Sequence, residues 1–433
     1  MKKTLYLFLC MIALGLCLVF AVRTDEFIRM FPALEGYFAG TGMMAAQEEE
    51  TDQTEDYVIK GTTVSLREED SLVTEVSRMP DETKELTEEV RRMLQNAQEN
   101  AYSYSMLSGQ EQQIYIEILW ALQGFRENVL LSGTDKDQIA DMFQCVLNDH
   151  PELFYVEGYT YTQYTLGNVL KKITFTGTYT IEKEEREHLQ ERIDSYVNRC
   201  LAGMPESADE YEKVKYIYEY LIDKTEYDAS APDNQNICSV FLNGRSVCQG
   251  YAKATQYLMQ QSGLPTALVL GTVARGEGHA WNLVKIDGSW YYVDTTWGDA
   301  SYQAIGGSRT FPEKKIPTIN YDYLCVTTDQ LCKTHTIDNV VQLPECTSMD
   351  ANYYVREGLY ITELDEEQLT RIFKEGYEKG NTYVTLKCAS DTVYAGLKEL
   401  LIDHQGIFRY LDCPDGVVSY TDDEEQYSMS FWL

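Results

Sequence analysis

The sequence of 433 residues predicts an α+β protein with two or three domains. Three observations lead to this fold class. Apolar residues recur at helical intervals after Ser108–Glu111 and Ser207–Glu210, two segments with the spacing of a helix-capping box. The runs 159–165 and 170–181 alternate polar with apolar or aromatic residues, as paired strands do. Two further strand-like runs flank Asp287-Gly288, a turn that is typical of an antiparallel hairpin.

The first 22 residues have the pattern of a targeting segment. Lys2 and Lys3 precede an apolar run from Leu5 to Val22, and Arg23 follows it. This run predicts either an uncleaved anchor helix, which it is just long enough to form, or a secretory signal peptide. The flanking charges predict that the rest of the chain is extracytoplasmic and contacts the membrane through this segment only.

Residues 23–94 are predicted to form an acidic stalk with a surface helix near its end. The stretch 47–56 is acidic and has no apolar face, so we expect it to stay solvated. An N-terminal α+β domain is expected over 95–205. Its predicted elements are helices that begin near Ser108 and Asp135, the paired strands and a helix over 182–200, and none of them carries a catalytic constellation.

The composition excludes some classes of function. A formal net charge of −33 argues against nucleic-acid binding, because a phosphate-binding protein needs a basic face. Nine of the eleven cysteines lie outside the apolar N-terminal run, at wide and irregular spacings. No Cys-x-x-Cys pair occurs, so a zinc site has no support. Disulfide bridges and buried free thiols both remain open at this point.

A small C-terminal α+β domain is predicted over 346–433. The expected elements are, in order, strand 353–361, helix 366–377, strand 382–389, helix 392–402, strand 406–411 and a final strand. Gly380-Asn381 separates the first helix from the strand that follows it. No residue pattern in this predicted domain indicates a catalytic site. The segment 299–317 is rich in Gly, Ser and Pro and is expected to be a loop.

Cys248 is the first candidate for catalysis. Gly244 and Gly250 flank it, and the apolar residues that follow have helical spacing up to residues 263–265. Cys248 is therefore expected at a helix N-terminus, where free N–H groups and the helix dipole favour the nucleophilic thiolate. A lone cysteine at such a position is more often a buried structural residue, so the interpretation depends on its partners.

The hairpin supplies those partners. The turn at Asp287-Gly288 sets the register, so that continued pairing brings Trp281 opposite Asp294. His279 then lies opposite Thr296, and these four side chains share one face because side chains alternate along a strand. His279 and Asp294 become diagonal neighbours, about 7–8 Å apart at the backbone and within side-chain reach. An aspartate there can fix the imidazole tautomer and stabilise its protonated form.

Three segments resemble the motif blocks of the transglutaminase-like superfamily, as found in extracytoplasmic bacterial transglutaminase-domain proteins. They are Val247–Ala252 (VCQGYA), Gly278–Asn282 (GHAWN) and Tyr292–Trp297 (YVDTTW). The resemblance implies a papain-like fold over 206–345, with the cysteine helix packed on an antiparallel sheet. It also implies that Cys248 is the nucleophile, His279 the general base and acid, and Asp294 the orienting group, without a metal or organic cofactor.

Further site residues are predicted around this triad. The backbone N–H of Cys248 is one candidate donor to the oxyanion. Gln249 is a second candidate, although a side chain directed to solvent is an equally open interpretation. Trp281 and Trp297 are expected to wall the substrate cleft. Where many relatives have a tyrosine ten residues before the nucleophile, this chain has Cys238.

The sequence thus predicts a thiol enzyme that acts on amide bonds. Attack by Cys248 would form a thioester, which water resolves in a peptidase or amidase and an amine resolves in a transglutaminase. The expected substrates are extracytoplasmic proteins or cell-wall peptides. The alternative is a non-catalytic module that keeps the fold and uses its cleft for binding at the cell surface.

Overall fold

The computed structural model describes residues 50–54, 57–66, 86–273, 276–299, 317–412 and 416–433. The predicted signal or anchor segment and nearly all of the predicted loop 299–317 lie outside these ranges. Within them, no helix combines the length and apolar character that crossing a membrane requires. The eight cysteines in these ranges are free thiols.

Sixteen strands occur in the described ranges and form three larger sheets and one pair. They are β1 (Glu50–Thr54), β2 (Tyr57–Leu66), β3 (Val129–Leu130), β4 (Val156–Leu166), β5 (Val169–Tyr179), β6 (Glu226–Tyr227), β7 (Arg245–Ser246), β8 (Thr266–Val273), β9 (Gly278–Ile286), β10 (Ser289–Val293), β11 (Leu324–Val326), β12 (His335–Ile337), β13 (Tyr360–Ile361), β14 (Tyr383–Cys388), β15 (Tyr420–Asp423) and β16 (Ser428–Trp432).

The α-helices of the described ranges mostly begin at side-chain caps. They are α1 (Glu88–Ala97), α2 (Tyr102–Met106), α3 (Gly109–Gln123), α4 (Lys136–Asp149), α5 (Lys183–Ala202), α6 (Glu210–Lys224), α7 (Cys248–Gln261), α8 (Thr295–Gly298), α9 (Thr328–Leu331), α10 (Tyr353–Arg356), α11 (Glu366–Glu378) and α12 (Asp391–Lys398). The predicted capping box at Ser108 starts α3. The second box lies two residues later than predicted, because Asp209 caps α6 and accepts from the N–H of Glu212.

The first sheet, ordered β1-β2-β4-β5-β3, overturns part of the stalk prediction. Strand β2 runs parallel to β4 over its whole length. Tyr57 and Ile59 alternate towards the interior and are buried, and Tyr57 packs edge-on against Phe143 of α4 at 5.3 Å. The prediction was wrong for 50–54 and 57–66 because it weighed the acidic run and overlooked this alternation of apolar residues.

The central sheet is ordered β11-β10-β9-β8-β12, and helix α7 packs against β8 and β9. The hairpin register is as predicted, with Ile286 opposite Ser289 and Leu283 opposite Tyr292. One continuous cluster of buried residues joins this sheet to the first sheet and runs from Tyr57 to Ala351. The predicted boundary near residue 205 therefore separates segments that share one core.

The C-terminal segment has its own core and a sheet ordered β13-β14-β16-β15. Two predicted strands are wrong. Asn352 caps α10 by accepting from the N–H of Tyr354, so only Tyr360–Ile361 of the expected strand 353–361 is extended. The expected strand 406–411 is a 3-10 turn at Gly406–Arg409, which follows the left-handed residue Gln405 (φ 58°). The remaining elements of the segment occur near their predicted positions.

A buried ion pair attaches this segment to the central sheet. Lys387 on β14 donates to Asp322 at 2.8 Å, and both side chains are only 5% exposed. Ser428 on β16 donates to the other oxygen of Asp322 at 2.9 Å. Asp322 lies in the 3-10 turn Tyr321–Tyr323, which leads directly into β11. The C-terminal segment thus contacts the edge of the sheet that carries the predicted site.

Candidate active site

Cys248 is the first residue of α7. Gly244 ends the preceding helical turn in the left-handed region (φ 65°), and Val247 is extended and forms the N-cap. The Cys248 side chain is partly exposed, whereas the next eleven residues of α7 are buried. The N–H of Cys248 lies in the first helical turn and has no acceptor within the helix. Cys248 therefore combines a partly exposed thiol with a backbone N–H in the first turn of a helix.

His279 lies on β9 opposite Gly271 of β8 and is 6% exposed. The missing side chain at Gly271 makes room for Trp281, because a Cβ there would approach the Trp281 ring to 2.7 Å. Trp281 is fully buried beneath His279, with ring centroids 5.8 Å apart. The expectation that Trp281 walls the cleft is therefore wrong, since this side chain is part of the core.

Asp294 lies directly after β10 and caps the short helix α8. Its Oδ1 accepts from the N–H of Trp297 at 3.0 Å, and its own N–H donates to the carbonyl of Tyr323 at 3.0 Å. The predicted pairs of Trp281 with Asp294 and of His279 with Thr296 are both wrong, because β10 ends at Val293 and the chain then turns into α8. The cap turns the Asp294 carboxylate towards the histidine.

His279 and Asp294 form a buried ion pair. His279 Nε2 lies 2.7 Å from Asp294 Oδ2, and the two side chains are 2% and 0% exposed. Burial lowers the pKa of His279, but the charge and hydrogen bond of Asp294 and the hydrogen bond with Cys248 raise it to about 10. Burial raises the pKa of Asp294, while His279 and a second histidine bring it well below its usual range. Because Asp294 takes Nε2, Nδ1 is left for the thiol of Cys248.

The second histidine is His335, which sequence reasoning missed. It lies on β12, opposite Val273 of β8, and its Nε2 is 3.0 Å from Asp294 Oδ2. The ligand-type atoms of His279, Asp294 and His335 lie within 4.8 Å of one another, a grouping that a metal ion could use. The separations of 2.7 and 3.0 Å are also those of two N–H donors that share one carboxylate oxygen, so the cluster is accounted for without a metal.

Two other predicted residues flank the triad. Gln249 is 8% exposed, so the interpretation in which its side chain faces solvent is wrong. Trp297 is partly exposed and packs against His279 and His335, with ring centroids 6.2 and 4.8 Å apart. Of the two predicted cleft tryptophans, Trp297 is the one with a surface that a substrate can reach.

Comparison with known proteins finds a family model that matches part of this chain. Residues 199–295 match the core of the Transglutaminase-like superfamily, and this segment includes Cys248, His279 and Asp294. The chain contains a transglutaminase-like core. Its mixed helix and strand composition agrees with the α+β, papain-like fold that the sequence predicts. His335 lies outside the segment that matches the family.

The relatives of this transglutaminase-like core are distant. Kyphoscoliosis peptidase of Mus musculus is 24% identical over 148 residues, which are 30% of this chain and 22% of the mouse protein. The human protein of the same name has the same identity, and the chain thus matches about a fifth of either relative's length.

Two solved structures show limited similarity to part of this chain. A crystal structure described as a TGase is 16% identical and covers 37% of this chain and 53% of its own, with a TM-score of 0.24. A putative cysteine protease from Cytophaga hutchinsonii is 14% identical and covers 30% and 55%, with a TM-score of 0.22.

Proposed function

We propose that this protein is a thiol enzyme that cleaves or transfers acyl groups at amide bonds of protein substrates. Cys248 is the nucleophile, His279 the general base and acid, and Asp294 the group that orients His279. The observation that carries the proposal is the buried pair of His279 and Asp294 at 2.7 Å, together with the partly exposed thiol of Cys248, which hydrogen-bonds to the same imidazole.

The chemistry follows from this arrangement. The Cys248 sulfur attacks the amide carbon, and the N–H of Cys248 donates to the oxyanion that forms. The His279 imidazolium gives its proton to the leaving amine as the C–N bond breaks, which leaves a thioester. Water or a second amine then attacks the thioester and gives its proton to His279, and the thiolate leaves. Asp294 holds the imidazole in the required tautomer throughout.

The finer assignment of substrate rests on the sequence. The predicted N-terminal targeting segment supports an extracytoplasmic location, where surface proteins and cell-wall peptides are the available amides. Trp297 offers an aromatic surface beside the triad on which an apolar substrate side chain can pack. Kyphoscoliosis peptidase carries peptidase in its name, which supports hydrolysis as one outcome here.

The experiment compares Cys248→Ala with Cys332→Ala, a matched control at an exposed thiol of the same chain. Unfolded casein serves as substrate, with and without a fluorescent primary amine. Wild type and Cys332→Ala should release peptides or incorporate the amine, and mass spectrometry should find a casein-derived acyl group on Cys248. Cys248→Ala should lose both activities, because both pass through a thioester on the Cys248 sulfur.

Two results would count against the proposal. One is casein processing by Cys248→Ala at the rate of the control. The other is an inert wild-type protein whose Cys248 reacts with iodoacetamide no faster than Cys332. The second result would favour the non-catalytic binding module, since a fold retained only for recognition has no need of a reactive thiolate.

A further inference from the structure

The Asp294 carboxylate is fully buried and accepts three hydrogen bonds. His279 Nε2 and His335 Nε2 both lie against Oδ2, at 2.7 and 3.0 Å, and the N–H of Trp297 lies 3.0 Å from Oδ1. A buried carboxylate needs such donors, because each unpaired lone pair carries a desolvation cost. Trp297 is fixed by the helix cap, so His335 is the additional side chain that decides how the carboxylate is turned towards His279.

The other ring nitrogen of His335 contacts a threonine hydroxyl. Nδ1 lies 2.8 Å from Thr334 Oγ1. Thr334 has a single hydroxyl proton, and its other neighbours, the Leu331 carbonyl and the Tyr323 hydroxyl, are both farther away at 3.4 Å. When Thr334 donates to Nδ1, the proton of His335 resides on Nε2 and points at Asp294. Because the ionised Asp294 carboxylate can only accept, the proton of His335 resides on Nε2, and the Thr334 hydroxyl is placed to donate to Nδ1.

The ring of His335 is also held in place by aromatic neighbours. It packs against Trp297, Trp281 and Tyr323, with centroid distances of 4.8, 5.0 and 5.6 Å. The titratable groups that face it are Asp294, His279 and Tyr323. The side chain of His335 is 0% exposed, so neither substrate nor solvent reaches it. A buried and caged imidazole with one fixed tautomer can act on the reaction through Asp294 alone.

We propose that His335 is a positioning residue, which donates its Nε2–H to Asp294 and thereby holds His279 in line with Cys248. This inference rests on the proposed function of the triad and adds to it a group outside the segment that matches the family. This role is similar to that of residues that hydrogen-bond to the ligands of a metal site and thereby set the orientation of the ligand side chains.

The first test replaces His335 and follows alkylation of Cys248 by iodoacetamide. Trypsin releases Cys248 in the peptide 246–253, which contains no other cysteine, and Cys332 in a separate peptide serves as internal standard. At about pH 6, below the ordinary thiol pKa of about 8.5, alkylation depends on the thiolate that the imidazolium stabilises.

His335→Leu should slow alkylation about 10- to 100-fold, the range found when orienting groups are removed. His335→Gln should restore most of the rate, because its amide can still donate to Asp294. His188→Leu makes the same change at an exposed histidine and should leave the rate unchanged.

A spectroscopic readout separates positioning from general stability. The chain has only five histidines, so ¹⁵N-labelled imidazoles give few signals. The N–H proton shared between His279 and Asp294 should resonate far downfield in wild type and in His335→Gln. In His335→Leu it should move upfield or broaden, while the thermal midpoint of His335→Gln stays near that of wild type.

Thr334→Val covers the case in which His335→Leu does not fold. It keeps the imidazole but removes the hydroxyl that holds Nδ1 in place, so alkylation should slow and the downfield signal should shift. Wild-type alkylation and an unshifted signal in either Thr334→Val or a folded His335→Leu overturn the inference. Neither the alkylation rate nor the NMR signal needs a substrate. A failure of the proposed function, which would appear as inactivity towards casein, is therefore distinguished from a failure of the positioning role.

Discussion

The carboxylate of Asp294 balances the charge of a buried imidazole, and Asp294→Asn removes that balance without changing the size of the side chain. Only the contacts with Cys248 then oppose the effect of burial, so the pKa of His279 falls from its raised value of about 10. We expect acyl transfer to fall on the order of 10⁴-fold, since a neutral amide cannot stabilise the imidazolium. NMR titration of the imidazole and the rate of casein processing measure the two effects.

The same pair predicts how stability depends on pH. The folded-state pKa of His279 is raised, so its contribution is fully present below about pH 6.5 and is lost as pH rises through about 10. Asp294 has a lowered pKa, so its contribution is present above about pH 4 and is lost as pH falls through its folded value. Denaturant unfolding should show that the free energy of unfolding of wild type exceeds that of Asp294→Asn by less at both the acidic and the basic end of the pH range. A constant difference from pH 4 to 11 would contradict this ion-pair assignment.

At the residue scale, the sequence could relate the three proposed catalytic residues to one another because they lie near local signals. A helix start marks Cys248, and the turn at Asp287-Gly288 relates His279 to Asp294. His335 carries no such signal, since its neighbours form no motif and its contact with Asp294 spans 41 residues. It can be found only when β12 is known to pair with β8, and that pairing is not local.

At the element scale, the start of α7 depends on close packing around Gly250. A Cβ at this position would collide with the hydroxyls of Ser246 and Ser239 and with the Asn234 carbonyl. Gly250→Ala should therefore destabilise the protein by about 1–3 kcal/mol and slow alkylation of Cys248. Denaturant unfolding and the labelling rate provide the two measurements.

Gly109→Ala is the control for this change. Gly109 also lies in the first turn of a helix, α3, but nothing lies within 4 Å of the position that a Cβ would occupy there. Since alanine favours helices more than glycine does, this variant should be as stable as wild type or gain up to about 1 kcal/mol. Equal losses in both variants would show that close packing at Gly250 does not set the start of α7.

Elements with strong local patterns were predicted well and the others were not. The register of β9 and β10 follows from their two-residue turn. Strand β2 was missed because it pairs with β4, about a hundred residues later, and follows an acidic run that favours a solvated interpretation. The helix α10 was mistaken for a strand because its aromatic and β-branched residues favour strands, while the cap at Asn352 decides otherwise.

At the scale of the whole molecule, the ion pair of Lys387 and Asp322 holds the C-terminal segment against the central sheet. Lys387→Met leaves the carboxylate of Asp322 buried without its cation, which should cost about 3–5 kcal/mol of unfolding free energy. Lys398→Met is the matched control in the same segment, because its pair with Asp422 is 37% and 22% exposed and should be worth about 0–1 kcal/mol. If Lys387→Met and Lys398→Met lower the unfolding free energy equally in chemical denaturation, the buried pair of Lys387 and Asp322 does not have the stabilising role stated here.

The division of the chain into domains was predicted from changes in the residue pattern along the sequence. Such a pattern contains no information on which distant segments contact each other. The C-terminal segment has a separate core, in keeping with its own alternation of helices and strands. The boundary near 205 has no such counterpart, because residues on both sides contribute to one buried cluster. Amphipathic helices such as α6 show which face is buried but not which element covers it.

The position of β12 at the edge of the central sheet has a consequence for the nascent chain. Cys248, His279 and Asp294 lie within one stretch of chain from α7 to the start of α8 and leave the ribosome close together, whereas His335 follows 41 residues after Asp294. The buried pair of Asp322 and Lys387 is completed only by β14. If His335 aligns the triad, the thiol acquires its full reactivity late in synthesis, after nearby newly made segments have already folded. In such an order, the amide bonds of the emerging chain are protected from attack by Cys248.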